Sequence, residues 1–228
     1  MDRKDVLVDL LPSASSRERE TAVGTLSNYA LITKRPAESA LDVHRLVHIA
    51  IRNYLQIQGL LGQWTQTAIE RLLYKFPNNS HGNRSRWRRL LPHAKYALAH
   101  SLTDHENKAR TQLAWDCATA LYYDGRYGEA EELLVQVIET RKRVLGAEHP
   151  DTLTSMANLA STYSNQGRWK EAEELFVQVI ETSARVLGAE HPDTLTSMEN
   201  LAFVRTFQVT ISKLYHYQKI ACSYVNKS

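Results

Sequence analysis

Residues 119–160 and 161–202 are nearly one sequence written twice. Placed at an offset of 42, thirty of 42 positions are identical. The differences are six at the start, two at 127–128, and single ones at 134, 141, 142 and 157. Self-similarity with a period of about 20–50 residues marks a repeat architecture. Each unit of such an array cannot bury its apolar face alone, so it must stack on its neighbours.

Each period reads as two helices. Asp151 and Asp193 follow His-Pro and precede Thr-Leu-Thr, where an aspartate is expected to cap a first helical turn. A helix is expected over roughly 151–165, and Gly167 ends it as Gly125 does one period earlier. A second helix begins near Trp169 and carries Ala172, Leu175, Phe176, Val179 and Ile180 on one apolar stripe. Gly188 and Pro192 stop it. A third copy starts at Asp193 and keeps Met198, Leu201 and Ala202. Arg205, Val209 and Leu214 then replace Tyr163, Gly167 and Ala172, and the pattern is gone from Phe203 onward. The tail 203–228 reads as a divergent cap or as the mark of a truncated or mis-spliced longer array. The second reading is preferred, because stacked repeats need about three units for stability.

The apolar spacing resembles the tetratricopeptide repeat. With Leu153 as the first position, Met156, Leu159, Ala160, Tyr163, Gly167, Ala172 and Phe176 fall where that family places its packing residues. One period earlier the same places hold Ala114, Cys117, Ala118, Leu121, Gly125, Ala130 and Leu134, a looser match. The 42-residue form with Leu-Gly-x-x-His-Pro-Asp-Thr and Asn-Leu-Ala is similar to kinesin light chain repeats and their fungal and bacterial relatives. The resemblance covers about 109–202 and implies an inner groove that receives an extended peptide. It places Asn158 and Asn200 on the groove face, with Asp116 one unit earlier and Trp115, Ser161 and Asn165 beside them. Hydrogen bonding between helices of the solenoid is the competing use for the asparagines. The cationic clamp that binds chaperone C-termini is missing, since Ala157 and Ser161 stand at its Lys and Asn positions.

Residues 1–105 lack the period. Glu18–Tyr29 reads as a helix, Ala30-Leu-Ile-Thr and Ala40-Leu-Asp-Val as a hairpin, and His44–Leu55 as a helix. In that second helix Leu46, Val47, Ala50, Ile51 and Tyr54 are expected to face inward. Helix, hairpin, helix is a small winged-helix layout. Gly24-Thr-Leu-Ser-Asn-Tyr-Ala-Leu-Ile and Val43-His44-Arg45-Leu46-Val47 resemble the winged-helix end of fungal NB-ARC (NLR-like, STAND) ATPases. There a Met-His-Asp or Met-His-Arg signature supplies a histidine that senses a nucleotide β-phosphate, which maps to His44 with Val43 in place of Met. The stretch from Trp64 through Phe76-Pro77 to Trp87 and His93 resembles the helical linker of those proteins. A phosphate-binding loop needs Gly followed by Lys, and none of the nine glycines is followed by Lys. The chain therefore reads as the sensor-side remnant or a fragment of such a protein.

The remaining residues exclude more than they suggest. Two cysteines are too few for a disulfide scaffold or a cysteine-rich metal site. Cys117 sits at a helix packing position. His44 and His48 are four apart on a helix, but Arg45 stands where a zinc protease needs Glu, and a packing or capping role for His48 is expected. His149 and His191 recur with the repeat and read as structural. Arg84, Arg86, Arg88, Arg89 and Lys95 cluster around Trp87; this reads as a solvated helix face, and nucleic acid is not expected as a partner. Asp5 and Asp9 interrupt the place of a signal-peptide core, and no apolar run approaches a membrane span. The net charge of +3 joins unlike parts: residues 106–202 hold 9 basic and 16 acidic side chains, while the remainder holds 19 and 9. A basic partner suits such an array.

The expectation is a mostly all-α chain: a winged-helix-like unit with one short β-hairpin over 1–58, a helical linker over 59–108, repeats over 109–202 and a tail over 203–228. The expected role is non-catalytic, cofactor-free and cytoplasmic, a groove for a protein or peptide partner and the C-terminal sensor part of an NLR-like protein. The alternatives are the regulatory half of a split ATPase, working with a nucleotide-binding chain in trans, and a fragment with no independent role.

Overall fold

The computed structural model describes residues 4–7, 16–35, 40–77, 81–99 and 108–225. The chain divides into two compact units, 1–113 and 114–228.

In the first unit, α1 (Ser16–Asn28) ends where Ala30 takes a left-handed φ of 52°. Leu31 N donates to Leu26 O at 3.0 Å, which closes the helix end. That closure occupies Ala30 and Leu31, so β2 runs Ile32–Arg35, two residues later than the sequence suggests. β2 pairs antiparallel with β3 (Ala40–Val43), as a hairpin requires. β1 (Lys4–Leu7) adds to the other edge of β3, so the sheet has three strands in the order β1-β3-β2. The hairpin was legible from its turn residues, whereas a lone short strand joined from a distance leaves no such signal.

α2 (Arg45–Ile57) corrects one expectation. Leu46, Ile51 and Tyr54 do not face inward; they are 68%, 52% and 61% exposed. The helix instead turns His48 and Arg52 toward Tyr96. The His48 and Tyr96 rings meet edge-on at 5.6 Å, and Arg52 Nη1 donates to the tyrosine hydroxyl at 3.2 Å. Periodicity shows that one face is apolar, not which face finds a partner. The core of this unit lies between α3 (Leu61–Lys75), through Ile69 and Leu72, and α4 (Arg84–Ala99), through Trp87, Leu91 and Ala94. Trp87 is 2% exposed, so the arginine-rich face of α4 offers no aromatic ring for a base to stack on.

The second unit is the repeat array. α5 (Lys108–Tyr123) crosses the division between the units. Then follow α6 (Tyr127–Val144), α7 (Pro150–Asn165), α8 (Trp169–Val186) and α9 (Pro192–Val225). The turns recur with the sequence. Gly125 and Gly167 adopt φ of 78° and 79°, where an L side chain would be strained. In the second turn Arg168 N reaches back to Tyr163 O at 2.9 Å.

The cap of each repeat corrects a second expectation: the capping side chain is the histidine, not the aspartate. His149 Nδ1 accepts from Asp151 N at 3.1 Å, and His191 Nδ1 accepts from Asp193 N at 3.2 Å. His149 precedes Pro150 and holds an extended backbone, φ −65° and ψ 139°. A residue before proline is pushed out of the helical region, so the histidine becomes the N-cap and proline the first helical residue. The next threonine closes the loop behind: Thr152 Oγ1 donates to Gly146 O at 2.9 Å, and Thr194 Oγ1 to Gly188 O at 3.0 Å.

α9 differs from α7 because Val209 occupies the place of Gly167. A β-branched residue has no access to the left-handed turn, and the helix runs on for 34 residues. Val204 and Leu201 pack against Ala172 and Phe176, which ties the start of α9 to α8. Leu195 and Met198, the counterparts of Leu153 and Met156, are 45% and 38% exposed instead of 3% each.

Candidate peptide-binding groove

The residues expected to line a groove fall into three groups. Asn158 on α7 and Asn200 on α9 stand one period apart and line the same two hollows, together with Ser161. Both asparagines are partly exposed, and among the described residues neither side-chain amide has a hydrogen-bond partner. The competing use, bonding between solenoid helices, falls instead to Asn165. Its Nδ2 donates to Tyr122 Oη at 3.0 Å and to Ser161 O at 2.8 Å.

The first hollow has Ala157, Val179, Ser183 and Ser197 in its wall, and the second has Thr119, Tyr122 and Leu134. With their open mouths they enclose about 480 and 550 Å³. That space suits a few side chains of an extended chain.

Trp115 and Asp116 belong to a different cluster, centred on Arg141. The guanidinium lies 4.7 Å from the centre of the Trp115 ring. Its Nη1 donates to Asp151 O at 2.9 Å and to Ser155 Oγ at 2.8 Å. Arg141 is 9% exposed. Burial lowers its pKa, and the charges of Asp151 and Asp116 oppose that shift. A buried cation held by a ring, a carbonyl and a hydroxyl is satisfied in every direction that matters for folding. Sequence reasoning missed Arg141. The signal was present, since position 141 is one of the few within the repeat that is not copied: Ser183 takes its place.

Beside the groove, ion pairs join consecutive repeats. Arg168 stacks over Tyr163 at 4.1 Å and donates to Glu131 on α6 and Glu171 on α8. Those bonds, the Glu171 one first, raise its pKa and lower that of Glu171. Arg185 grips Glu148 at 2.6 Å and pulls that carboxyl below its ordinary 4.5.

His44 lies in the first unit. It caps α2, its Nδ1 accepting from Leu46 N at 3.3 Å. Cys117 is buried and outside any disulfide. Among the described residues, no group of three His, Cys, Asp or Glu side chains is placed to hold a metal ion. No helix among them is long and apolar enough to cross a membrane.

Comparison with known proteins agrees with the repeat geometry. Residues 109–183 and 158–208 match the family model described as Tetratricopeptide repeat. A nucleotide-binding leucine-rich repeat (NLR)-like protein of Hyaloscypha variabilis is 39% identical over 148 residues, 64% of this chain. The chain spans 15% of the length of that relative. Among solved structures, a point variant of the kinesin light chain nearly identical TPR-like repeats from Podosopora anserina is similar. It has 23% identity and a TM-score of 0.48 over 78% of this chain and 94% of that one. BtubC (BKLC) from P. vanneervenii is similar at 15% identity and a TM-score of 0.46, covering 86% of this chain and 68% of that one. Over residues 109–208 the chain carries tetratricopeptide repeats, and it is related to an NLR-like protein.

Proposed function

We propose that the repeats form a non-catalytic peptide-binding groove in which Asn158 and Asn200 hold the backbone of an extended partner segment. The observation that carries this reading is the pair of unpartnered amides, one period apart, lining the same two hollows. An amide offers both a donor and an acceptor, the pair that an extended backbone presents. Ser161 lines both hollows with them, while Asn165 bonds to Tyr122 in the wall of the second and Trp115 and Asp116 belong to the Arg141 cluster. On this reading the chain is a cytoplasmic sensor part at the C-terminal side of a longer protein, and the relationship to an NLR-like protein supports the sensor role alone.

The test is capture of peptides from a displayed library of random 12-residue sequences. Asn158→Ala with Asn200→Ala should weaken the selected peptides at least tenfold while leaving the thermal midpoint unchanged. Equal capture by both proteins would remove the groove reading.

One observation favours a second role for the other unit, as the regulatory half of a nucleotide-binding assembly formed in trans. The Nδ1 of His44 is committed to the α2 cap, and its Nε2 has no partner among the described residues. An Nε2 proton so presented can donate to a phosphate oxygen. Calorimetry with ADP should show no binding by this chain alone and binding once a separate nucleotide-binding domain is added. His44→Ala should reduce that binding.

A further inference from the structure

We infer that the hollow between α7, α8 and α9 is a slot for an arginine side chain of the groove's partner. The inference rests on the groove reading and adds the chemistry of one occupant.

The array itself shows what the slot holds. Positions 115, 141, 151 and 155 correspond at an offset of 42 to 157, 183, 193 and 197. At the earlier junction Trp115 and Arg141 fill the space, and the guanidinium takes Asp151 O and Ser155 Oγ as acceptors. At the later junction the acceptors are rebuilt. Ser197 Oγ donates to Asp193 O at 2.8 Å, just as Ser155 Oγ donates to Asp151 O at 2.8 Å. The filling is gone, because Ala157 and Ser183 replace the tryptophan and the arginine. What remains is the open hollow, with Ala157, Ser183, Asp193 and Ser197 in its wall and Asn158 and Asn200 at its side.

The lining selects the occupant. It contains Asp193 and no cationic side chain. The repeats around it carry 16 acidic against 9 basic residues, which draws a cation in. Leu153, Val179 and Leu187 give an apolar wall along which an aliphatic stem can lie. Ser197 Oγ and the Asp193 carbonyl are two acceptors side by side, the counterparts of the pair that takes the Arg141 guanidinium one period earlier. At the earlier junction the same pair accepts from a single guanidinium nitrogen.

The displayed library of random 12-residue peptides tests this on the full chain. Peptides selected on the wild type should share an arginine, and replacing it with citrulline should weaken them at least tenfold, with lysine intermediate. Ser183→Arg fills the slot from within and should abolish the arginine preference while the protein stays folded. Ala157→Trp combined with Ser183→Arg copies the earlier junction and should do the same, which guards against misfolding of the single variant. If the selected peptides depend on Asn158 and Asn200 but lack an arginine, or bind Ser183→Arg unchanged, the slot is overturned and the groove stands. If no selected peptide depends on those asparagines, both fall.

Discussion

The imidazole at position 149 does for α7 what Ser or Asp does for most helices. Its Nδ1 lone pair meets Asp151 N, and in the neutral ring that places the proton on Nε2. Removing such an acceptor costs about 1 kcal/mol. His149→Ala should lower stability by about that amount, and His149→Asn should restore most of it, as read by urea denaturation. A second residue-scale prediction concerns Ala30, whose left-handed φ of 52° strains an L side chain. Ala30→Gly should stabilise the chain by about 0.5–1 kcal/mol in the same measurement. The position of the repeat caps was legible in the sequence, but the capping atom was misassigned. His and Asp flank the same proline, and preference tables favour the aspartate. The backbone rule for a residue before proline decides the matter the other way. Arg141 escaped for a related reason: attention to identity between repeats passes over the position where one repeat departs from the other.

At the scale of helices, two apolar stripes with similar spacing have different fates. Phe176 on α8 is 1% exposed and packs with Ala160, Leu201 and Val204. Phe176→Ala should cost about 3–5 kcal/mol, since the cavity left between α7, α8 and α9 cannot collapse. On α2, Leu46→Gln and Tyr54→Gln should each change stability by less than about 0.5 kcal/mol, because both side chains already stand in solvent. Chemical unfolding of the three variants separates the cases. α7 and the start of α8 were legible almost to the residue, because period, glycine turn and His-Pro start agree, whereas the run of α9 to Val225 was not. The direction in which α2 faces was not, because that depends on what the rest of the unit presents to it: the Tyr96 ring and hydroxyl attract His48 and Arg52. That Asn158 and Asn200 share a face was legible from the period. The hollow beside them was not, because it depends on two side chains that the later repeat lacks.

Within the repeat unit, Arg168 and Arg185 tie the second repeat to the first. Glu148 and Glu171 are both held below the usual carboxylate range, by Arg185 and Arg168. A carboxylate with a lowered folded pKa adds stability above its unfolded value, and that contribution is lost as pH falls through the folded one. The window therefore opens near 4.5 and extends downward. Glu148→Gln should lower the thermal midpoint at neutral pH, and the difference from wild type should vanish on acidification through that window. High salt should shrink it as well, since both partners are exposed. The same pairs have a consequence for how such an array changes in length. Glu131 with Arg168 and Glu148 with Arg185 both span 37 residues, and both tie the second repeat to the first. A tandem duplication of residues 161–202 would set a copy of Arg168 37 residues after Glu173, the counterpart of Glu131, and a copy of Gly167 at the next turn. Lengthening by one whole period therefore keeps these pairs in register, while positions 115 and 141, or 157 and 183, set what fills each junction.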